Sequence, residues 1–450
     1  MKETDFISQI LKHPDLAGGP PGEFIKKHHP EDIAAALNNI DEPDKLLRAV
    51  YSLPEGVDSL VIPFLEVRAL NLIIENSPPE KIGEIIEEME SDDAADVLGN
   101  VREEVAEDIL ETVSEEWGKR ISHLMEYGAQ TAGGVMKSEV FTMPVGSTVD
   151  ETIGRLRRMA GLSGDTHNVF VVDPGHRLAG VFPSSALLFA PPGARVESLV
   201  TDKPQSVTAE TDQEDVARIF KKYDLITLPV LDSAGVLLGA VTVDDVVDIM
   251  EAEAGEDILR MAGAGDESTV RTASSLKLAW LRAPWLGSSM AAGGVTGIAM
   301  WQFSPTINSM VALATFIPMV MGLTGNVGTQ SSALVIRGIA TGRLNSGSRR
   351  RYIFKEMKVA ILLAFLCSTL CGAVAYLWQE SVIVGASVGG ALFISVVLAS
   401  VTGTLIPLLF RWLKLDPAIA GGPLTLALND IIALVLYLGI ATALLNVTGV

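Results

Sequence analysis

The 450-residue sequence predicts a multidomain protein: an all-α superhelical N domain, two tandem α/β modules, a connecting helix and an all-α membrane domain of five helices. Charge is the first reason. Residues 271–450 hold 12 Lys or Arg against 4 Asp or Glu, a net of +8, whereas the first 270 hold 22 against 51, a net of −29. Apolar runs are the second, because five stretches of the basic half are long enough to cross a ~30 Å hydrocarbon core as helices. The third is a strand–turn–strand unit that recurs 59 residues apart, counted from Asp173 to Asp232. An acidic soluble half excludes a nucleic-acid partner, since phosphate neutralisation needs the opposite sign.

Residues 1–130 read as short helices. Pro30-Glu31-Asp32-Ile33, Pro79-Glu80-Lys81-Ile82, Asp92-Asp93-Ala94-Ala95 and Glu103-Glu104-Val105-Ala106 each open a run with apolar residues three and four apart. Proline and acids suit the free N–H groups and dipole of a first helical turn, and starts about a dozen residues apart fit a repeat-like superhelix. The stretch Met1 to Leu16 is polar and lacks the apolar core of a secretory signal, so the soluble half is expected in the cytoplasm.

Residues 131–199 and 200–245 hold the α/β modules. Val169-Phe170-Val171-Val172-Asp173-Pro174-Gly175 and Leu228-Pro229-Val230-Leu231-Asp232-Ser233-Ala234-Gly235 are strands ending in Asp-containing turns. Leu178–Phe182 and Leu237–Val241 return as second strands, and amphipathic helices over Val149–Met159 and Asp212–Lys222 precede the units. The pair resembles tandem CBS domains. Residues 246–275 comprise the rest of a long acidic helix expected over Val243–Met261, ended by Gly263 and Gly265, and a polar linker.

Residues 276–450 contain the expected spans, near Leu281–Gln302, Pro305–Ile336, Val359–Trp378, Val382–Phe410 and Ala418–Val447. Lys277 and Arg282 sit at the start of the first, seven basic residues from Arg337 to Lys358 lie between the second and third, and Arg411 and Lys414 between the fourth and fifth. The other two connections have no basic residue. The positive-inside rule then puts the soluble half in the cytoplasm and the C-terminus outside. Cys367 and Cys371, four apart in one apolar helix, read as small packing residues, not a disulfide.

Asp430 is expected near the middle of the last apolar run, Ala418–Val447, where a charged side chain costs roughly 2.5–3.5 kcal/mol even on the mildest scale. A permeating cation is the natural compensation. In the second span, Pro318 and the glycines 322, 325 and 328 interrupt good helix-forming sequence beside Asn326 and Gln330. Two explanations stand: close helix packing through small residues, or unwound backbone whose carbonyls, with the Asn326 and Gln330 amides, hold a hydrated cation in a water-filled path.

The run Pro318-Met319-Val320-Met321-Gly322-Leu323-Thr324-Gly325-Asn326-Val327-Gly328-Thr329-Gln330 resembles the signature of the MgtE family of bacterial magnesium channels. Further matches are Arg282-Ala283-Pro284-Trp285-Leu286, Arg337-Gly338, Thr341-Gly342, and Asp416-Pro417 through Gly422-Pro423 to Asp430. The soluble half adds Asp92-Asp93-Ala94-Ala95-Asp96, Thr131-Ala132-Gly133-Gly134-Val135-Met136, Tyr223-Asp224 and Thr242-Val243-Asp244-Asp245-Val246. The resemblance implies a homodimeric, multi-pass Mg²⁺ channel of the bacterial inner membrane, among lipids, with five membrane helices per subunit and a "plug" in the connecting helix. It implies a pore flanked by Asp430 and lined near Asn326, with Gly325, Gly328 and Gln330 as the accompanying candidates. Two places depart from the family pattern: Phe303-Ser304, where members often carry an acid, and Leu426 and Ala427, where hydroxyls precede the Asp.

The resemblance also implies that intracellular Mg²⁺ bound between the acidic domains holds a closed state. The candidate regulatory ligands are Asp92, Asp96, Asp212, Glu214, Asp224, Asp245, Asp248, Glu253, Glu256 and Asp257. A net charge of −29 should drive these domains apart unless cations bridge them. Thr242 and Asp245 fit the pair by which many CBS domains hold an adenosine ribose, which makes ATP a candidate ligand. The first module has Pro183-Ser184-Ser185 there and lacks the acid. The histidines 13, 28, 29, 123, 167 and 176 all precede the membrane half, and adjacent His28 and His29 diverge, so they are expected on the surface.

No nucleophile–base pair, phosphate loop or redox motif points to an enzyme. A secondary transporter coupled through Asp430 protonation, and a CBS-domain membrane receptor, are the rival readings.

Overall fold

The computed structural model describes residues 29–54, 56–159, 166–200, 204–264, 270, 274–341, 344 and 349–448. The stretch Met1–Leu16, His13, His28, Gly342, Arg343 and most of the linker after Ala264 lie outside them. The chain divides into two compact units, Met1–Met250 and Glu251–Val450.

In the first unit, short helices follow one another: α1 (Pro30–Leu37), α2 (Pro43–Val50), α3 (Asp58–Val61), α4 (Val67–Glu75), α5 (Pro79–Glu87), α6 (Ser91–Gly99), α7 (Glu103–Leu110) and α8 (Glu115–Met125). Proline opens α1, α2 and α5, and acids fill the first turns of α6, α7 and α8. None of these helices is long enough to be stable alone. Their inward residues Ile33, Leu46, Ile73, Ile86, Leu98 and Ile109 are fully buried in one continuous core that holds the stack together.

The modules follow as β1 (Thr142–Pro144), α9 (Val149–Met159), β2 (Asn168–Val172) and β3 (Leu178–Pro183), then β4 (Val207–Thr208), α10 (Gln213–Tyr223), β5 (Thr227–Leu231) and β6 (Leu237–Thr242). In each, the first strand runs parallel and the third antiparallel to the central one. The repeat holds to the residue. Val171 pairs Gly180 and Val230 pairs Gly239, with a bulge directly after Val171 and after Val230.

The expected Asp turns have a clear cause: Asp173 Oδ1 accepts N–H bonds from Gly175 and Arg177, and Asp232 Oδ1 from Ala234 and Val236. Each turn needs one left-handed residue, supplied by His176 at φ 59° and by Gly235 at φ 83°. Those same turns join the modules, because Leu178 N–H donates to Gly235 O and Leu237 N–H to His176 O. Asn168 Nδ2 also donates to Thr227 Oγ1, so residues 59 apart meet across a pseudo-twofold axis. The described histidines, 29, 123, 167 and 176, are exposed.

A long helix, α11 (Val243–Met261), leaves β6 and continues from the first unit into the second. The second unit then builds α12 (Ser275–Gln302), α13 (Ser304–Ser309), α14 (Ala312–Ala340), α15 (Arg349–Gln379), α16 (Val382–Trp412) and α17 (Pro423–Thr448). Helix α16 is the hub and packs on α14, α15 and α17, while α12 packs on α17. Small residues bring α15 and α16 close: a Cβ on Gly372 would stand 3.1 Å from Gly385 O and 3.1 Å from Gly389 Cα. Cys367 and Cys371 are free and half-buried.

Among the described residues four helices, α14 to α17, are long and apolar enough to cross a membrane. The expected first span is a helix of 28 residues, but with Lys277, Arg282 and Ser288 in its first half its hydropathy stays below theirs. Two boundaries also move. The second stretch breaks after α13, and Ala418 lies in a 3-10 turn, Pro417–Ala420, which places Asp430 two turns into α17, not near its middle.

One reading of 318–330 required unwound backbone, whereas α14 is continuous α-helix from Ala312 to Ala340. Pro318 removes a single donor. Each glycine is about 1 kcal/mol worse than Ala in a helix; at Gly325 and Gly328 close contact offsets that cost, which is the small-residue alternative, whereas a Cβ on Gly322 would meet nothing within 4 Å.

Candidate cation sites

The acidic site of the first unit is built where the chain enters the first module. Lys137 exchanges two backbone hydrogen bonds with Ala240 of β6, at 2.9 and 3.0 Å, and Ser138 N–H donates to Ser91 Oγ of α6 at 3.0 Å. Gly239 permits that approach, because a Cβ there would stand 2.4 Å from Lys137 O. The seam brings the first turn of α6 beside the first turn of α11.

Carboxylate oxygens of Glu90, Asp92 and Asp93 converge there, all within 4.8 Å of one another. Asp92 is 7% exposed and its Oδ1 has no hydrogen-bond partner. Burial, and after it Asp245, push Asp92 up to about 8 against the pull of Lys137. Burial and Glu90 push Asp93 to about 6, and burial and Asp245 do the same to Asp96. Burial also raises Asp245. An all-oxygen donor set with an orphaned buried carboxylate oxygen fits a hard divalent cation such as Mg²⁺.

Lys137 places its ammonium among these acids. Its Nζ lies 2.7 Å from Glu90, 3.2 Å from Asp244 and 3.5 Å from Asp245. Burial pulls its pKa down, but Asp245, Asp92 and Glu90 outweigh that and raise it.

Linkage gives a pH signature. A carboxyl whose folded-state pKa is raised leaves the folded state holding more protons, so stability is full below about pH 4 and is lost as pH climbs toward the folded value. For Asp92, Asp93 and Asp96 that window runs from about 4 up to about 6 and about 8. In EDTA the thermal midpoint of the soluble half should therefore fall between pH 5.5 and 8, and Mg²⁺, which binds the ionised carboxylates, should flatten the fall. A midpoint that rises with pH in EDTA would contradict this burial.

Of the predicted regulatory residues, Asp92, Asp96 and Asp245 come together here. Asp212, Glu214 and Asp224 do not share one place: Asp212 caps α10 by accepting from Glu214 N–H, Glu214 pairs with Arg218, and Asp224 ends the helix at φ 50°. The 11 residues of α10 hold its two ends about 16 Å apart. Asp248 stays in the first unit, and Glu253, Glu256 and Asp257 belong to the second. Thr242 Oγ1 donates to Asp245 Oδ2 at 2.5 Å, so the pair assigned to a ribose is bonded to itself.

In the second unit, Glu256 and Asp416 both pair with Arg260. A Cβ on Gly422 would stand 2.0 Å from Met261 O, and one on Gly263 would stand 2.9 Å from Trp285 Cγ. The end of α11 thus rests on the turn that leads into α17 and on α12.

Two helical turns further along α17 lies the intramembrane site. A Cβ on Gly325 would stand 2.5 Å from Leu426 Cδ1 and 3.4 Å from Asp430 Oδ1, and one on Gly328 would stand 2.0 Å from Asn429 Nδ2. Helix α16 closes the other side, since a Cβ on Gly403 would stand 2.3 Å from Gly328 O. Asn429 is fully buried, accepts from Thr402 Oγ1 at 2.6 Å and leaves its Nδ2 without a partner. Asn326 and Gln330, one turn apart, are exposed on the other face of α14, and Asp430 is half-buried.

Ser331 Oγ donates to Glu356 Oε1 of α15 at 2.9 Å and lies 3.0 Å from Ser400 Oγ, which adds a second carboxylate to the bundle. Sequence reasoning passed over Glu90, Asp93, Lys137, Glu356 and Asn429. Only Asn429, a polar residue in an apolar run beside Asp430, carried a signal.

A soluble half with tandem α/β modules, joined to a bundle of apolar helices that holds half-buried carboxylates and a buried amide, defines a multi-pass membrane transport protein with a soluble N-terminal part. Residues 317–440 match the divalent cation transporter model of MgtE, 28–130 the MgtE intracellular N domain, and 196–252 a CBS domain. The magnesium transporter MgtE of Bacillus subtilis is 37% identical over 328 residues, 73% of this chain and 72% of that protein. That of Thermus thermophilus is 37% identical over 327 residues, 72% of each. The chain belongs to the MgtE family. The crystal structure of the soluble part of a magnesium transporter, 23% identical, covers 56% of this chain and 100% of its own with a TM-score of 0.51, a likeness of fold.

Proposed function

We propose that this protein carries Mg²⁺ across the bacterial cytoplasmic membrane as a homodimeric channel, gated by intracellular Mg²⁺ on its acidic soluble half. The observation that carries the reading is Asp430 against Gly325, with Asn429 against Gly328, inside an apolar bundle. A carboxylate and amides offering oxygens to a hydrated ion suit Mg²⁺, which sheds water reluctantly. The exposed Asn326 and Gln330 support a second copy, because an amide face on a membrane helix belongs against protein or water, not lipid.

In this reading residues 1–130 form the N domain, 131–199 and 200–245 the CBS domains, 246–275 the plug helix and linker, and 276–450 the membrane domain. Five spans including α12 put the soluble half in the cytoplasm and the C-terminus outside. Mg²⁺ held by Glu90, Asp92 and Asp93 of the N domain, with Asp245 of the second CBS domain facing it, draws those two domains together, and the end of α11 presses on the turn before α17. Thr242 and Asp245 would have to exchange their mutual bond for a ribose to hold ATP.

Flux of Mg²⁺ into liposomes, with and without Mg²⁺ on the soluble-domain side, tests the proposal. No flux in either condition defeats it, and flux coupled to a pH gradient favours the secondary transporter. Arg260→Ala should loosen the closed state: a half-exposed ion pair is worth about 1 kcal/mol, so flux at high internal Mg²⁺ should rise about fivefold. Unchanged flux would remove Arg260 from the gate.

A further inference from the structure

Lys137 stands out because its backbone and its side chain are fixed independently. The backbone is held to β6 through Ala240 and, one residue on, to α6 through Ser91. The side chain, 12% exposed, is thereby aimed along the seam at Glu90 on one side and at Asp244 and Asp245 on the other. A cation in that position bridges the N domain and the second CBS module without any metal.

We propose that Lys137 is a tethered cation that holds the N domain against the second CBS module when Mg²⁺ is absent and lowers the Mg²⁺ concentration at which the two close. The part concerning Mg²⁺ rests on the sensor reading above. One ammonium cannot neutralise Glu90, Asp92, Asp93, Asp244 and Asp245 together, so a requirement for divalent cation remains. Lys137 reaches Glu90, whereas Asp92 Oδ1 has no partner, which leaves the Asp92 side of the cluster for the ion. The seam therefore divides its negative charge between a fixed cation and an exchangeable one, and the fixed one sets the starting point from which the exchangeable one works.

The test uses the full-length protein in detergent, with limited proteolysis between the N domain and the first CBS module. Lys137→Met keeps the stem and the backbone bonds to Ala240 but removes the charge, and Lys137→Arg restores it. In EDTA, Lys137→Met should be cut about tenfold faster than the parent, the ratio for a loss near 1.4 kcal/mol. It should need more Mg²⁺ for half-protection, and Lys137→Arg should behave as the parent in both respects. Equal cutting of Lys137→Met and parent in EDTA overturns the proposal, as does a lower Mg²⁺ requirement in Lys137→Met. Should Mg²⁺ protect neither protein while the difference in EDTA persists, the sensor reading fails and the tether stands.

Discussion

Asp430→Asn is expected to cut Mg²⁺ uptake at least about tenfold while leaving the protein folded and its oligomeric state unchanged. The substitution keeps size and hydrogen-bonding oxygen and removes only charge. A pair of unit charges 4 Å apart is worth about 4 kcal/mol at an effective dielectric of 20, and each 1.4 kcal/mol is a factor of ten, so tenfold is the low side of the range. Folding should tolerate the change because the Gly325 gap accepts an isosteric side chain and because a neutral amide is cheaper than a carboxylate in an apolar bundle. Flux in liposomes and size-exclusion chromatography together decide the matter. Parental flux through a well-folded Asp430→Asn protein would move the ion path elsewhere in the bundle, and Glu356 beside Ser331 would be the next carboxylate to examine.

How far the sequence could be read follows from which features are local. The Asp173 and Asp232 turns, the strands around them and the proline-led helix starts depend on a few consecutive residues, so their spacing was visible and the structure reproduces it. The glycine-rich run from Pro318 to Gln330 marked a special place, but its meaning depended on neighbours: Gly403 and Asn429, far along the chain, make it a close-packed helix. Lys137 illustrates the same limit. A lone lysine after Met136 has no period and no motif, and its role exists only because Ala240 and Ser91 hold it between two sets of acids. Asp212 and Asp224 show what nearness in sequence leaves out, since both mark the second α/β module although α10 keeps them at its two ends.

Gly403→Ala should destabilise the membrane domain by about 1–3 kcal/mol, the usual range for forcing an extra carbon into a packed core, and Gly439→Ala should not. The two changes are chemically identical and both fall within long membrane helices. At Gly403 the new Cβ would stand 2.3 Å from Gly328 O and 3.1 Å from Ser331 Cβ, so the obstacle is backbone and no rotamer relieves it. Helices α14 and α16 would have to separate by about 1 Å to restore ordinary contact distances. At Gly439 nothing lies within 4 Å, and Ala gains up to about 1 kcal/mol of helix propensity. Thermal unfolding in detergent reads the difference directly. Because Gly328 is also the floor on which Asn429 rests, Gly403→Ala should lower Mg²⁺ flux as well, whereas Gly439→Ala should leave it unchanged. A Gly403→Ala protein as stable as the parent would mean that α14 and α16 have slack at this crossing, and the contact between Gly328 and Asn429 would lose its claim to shape the ion path.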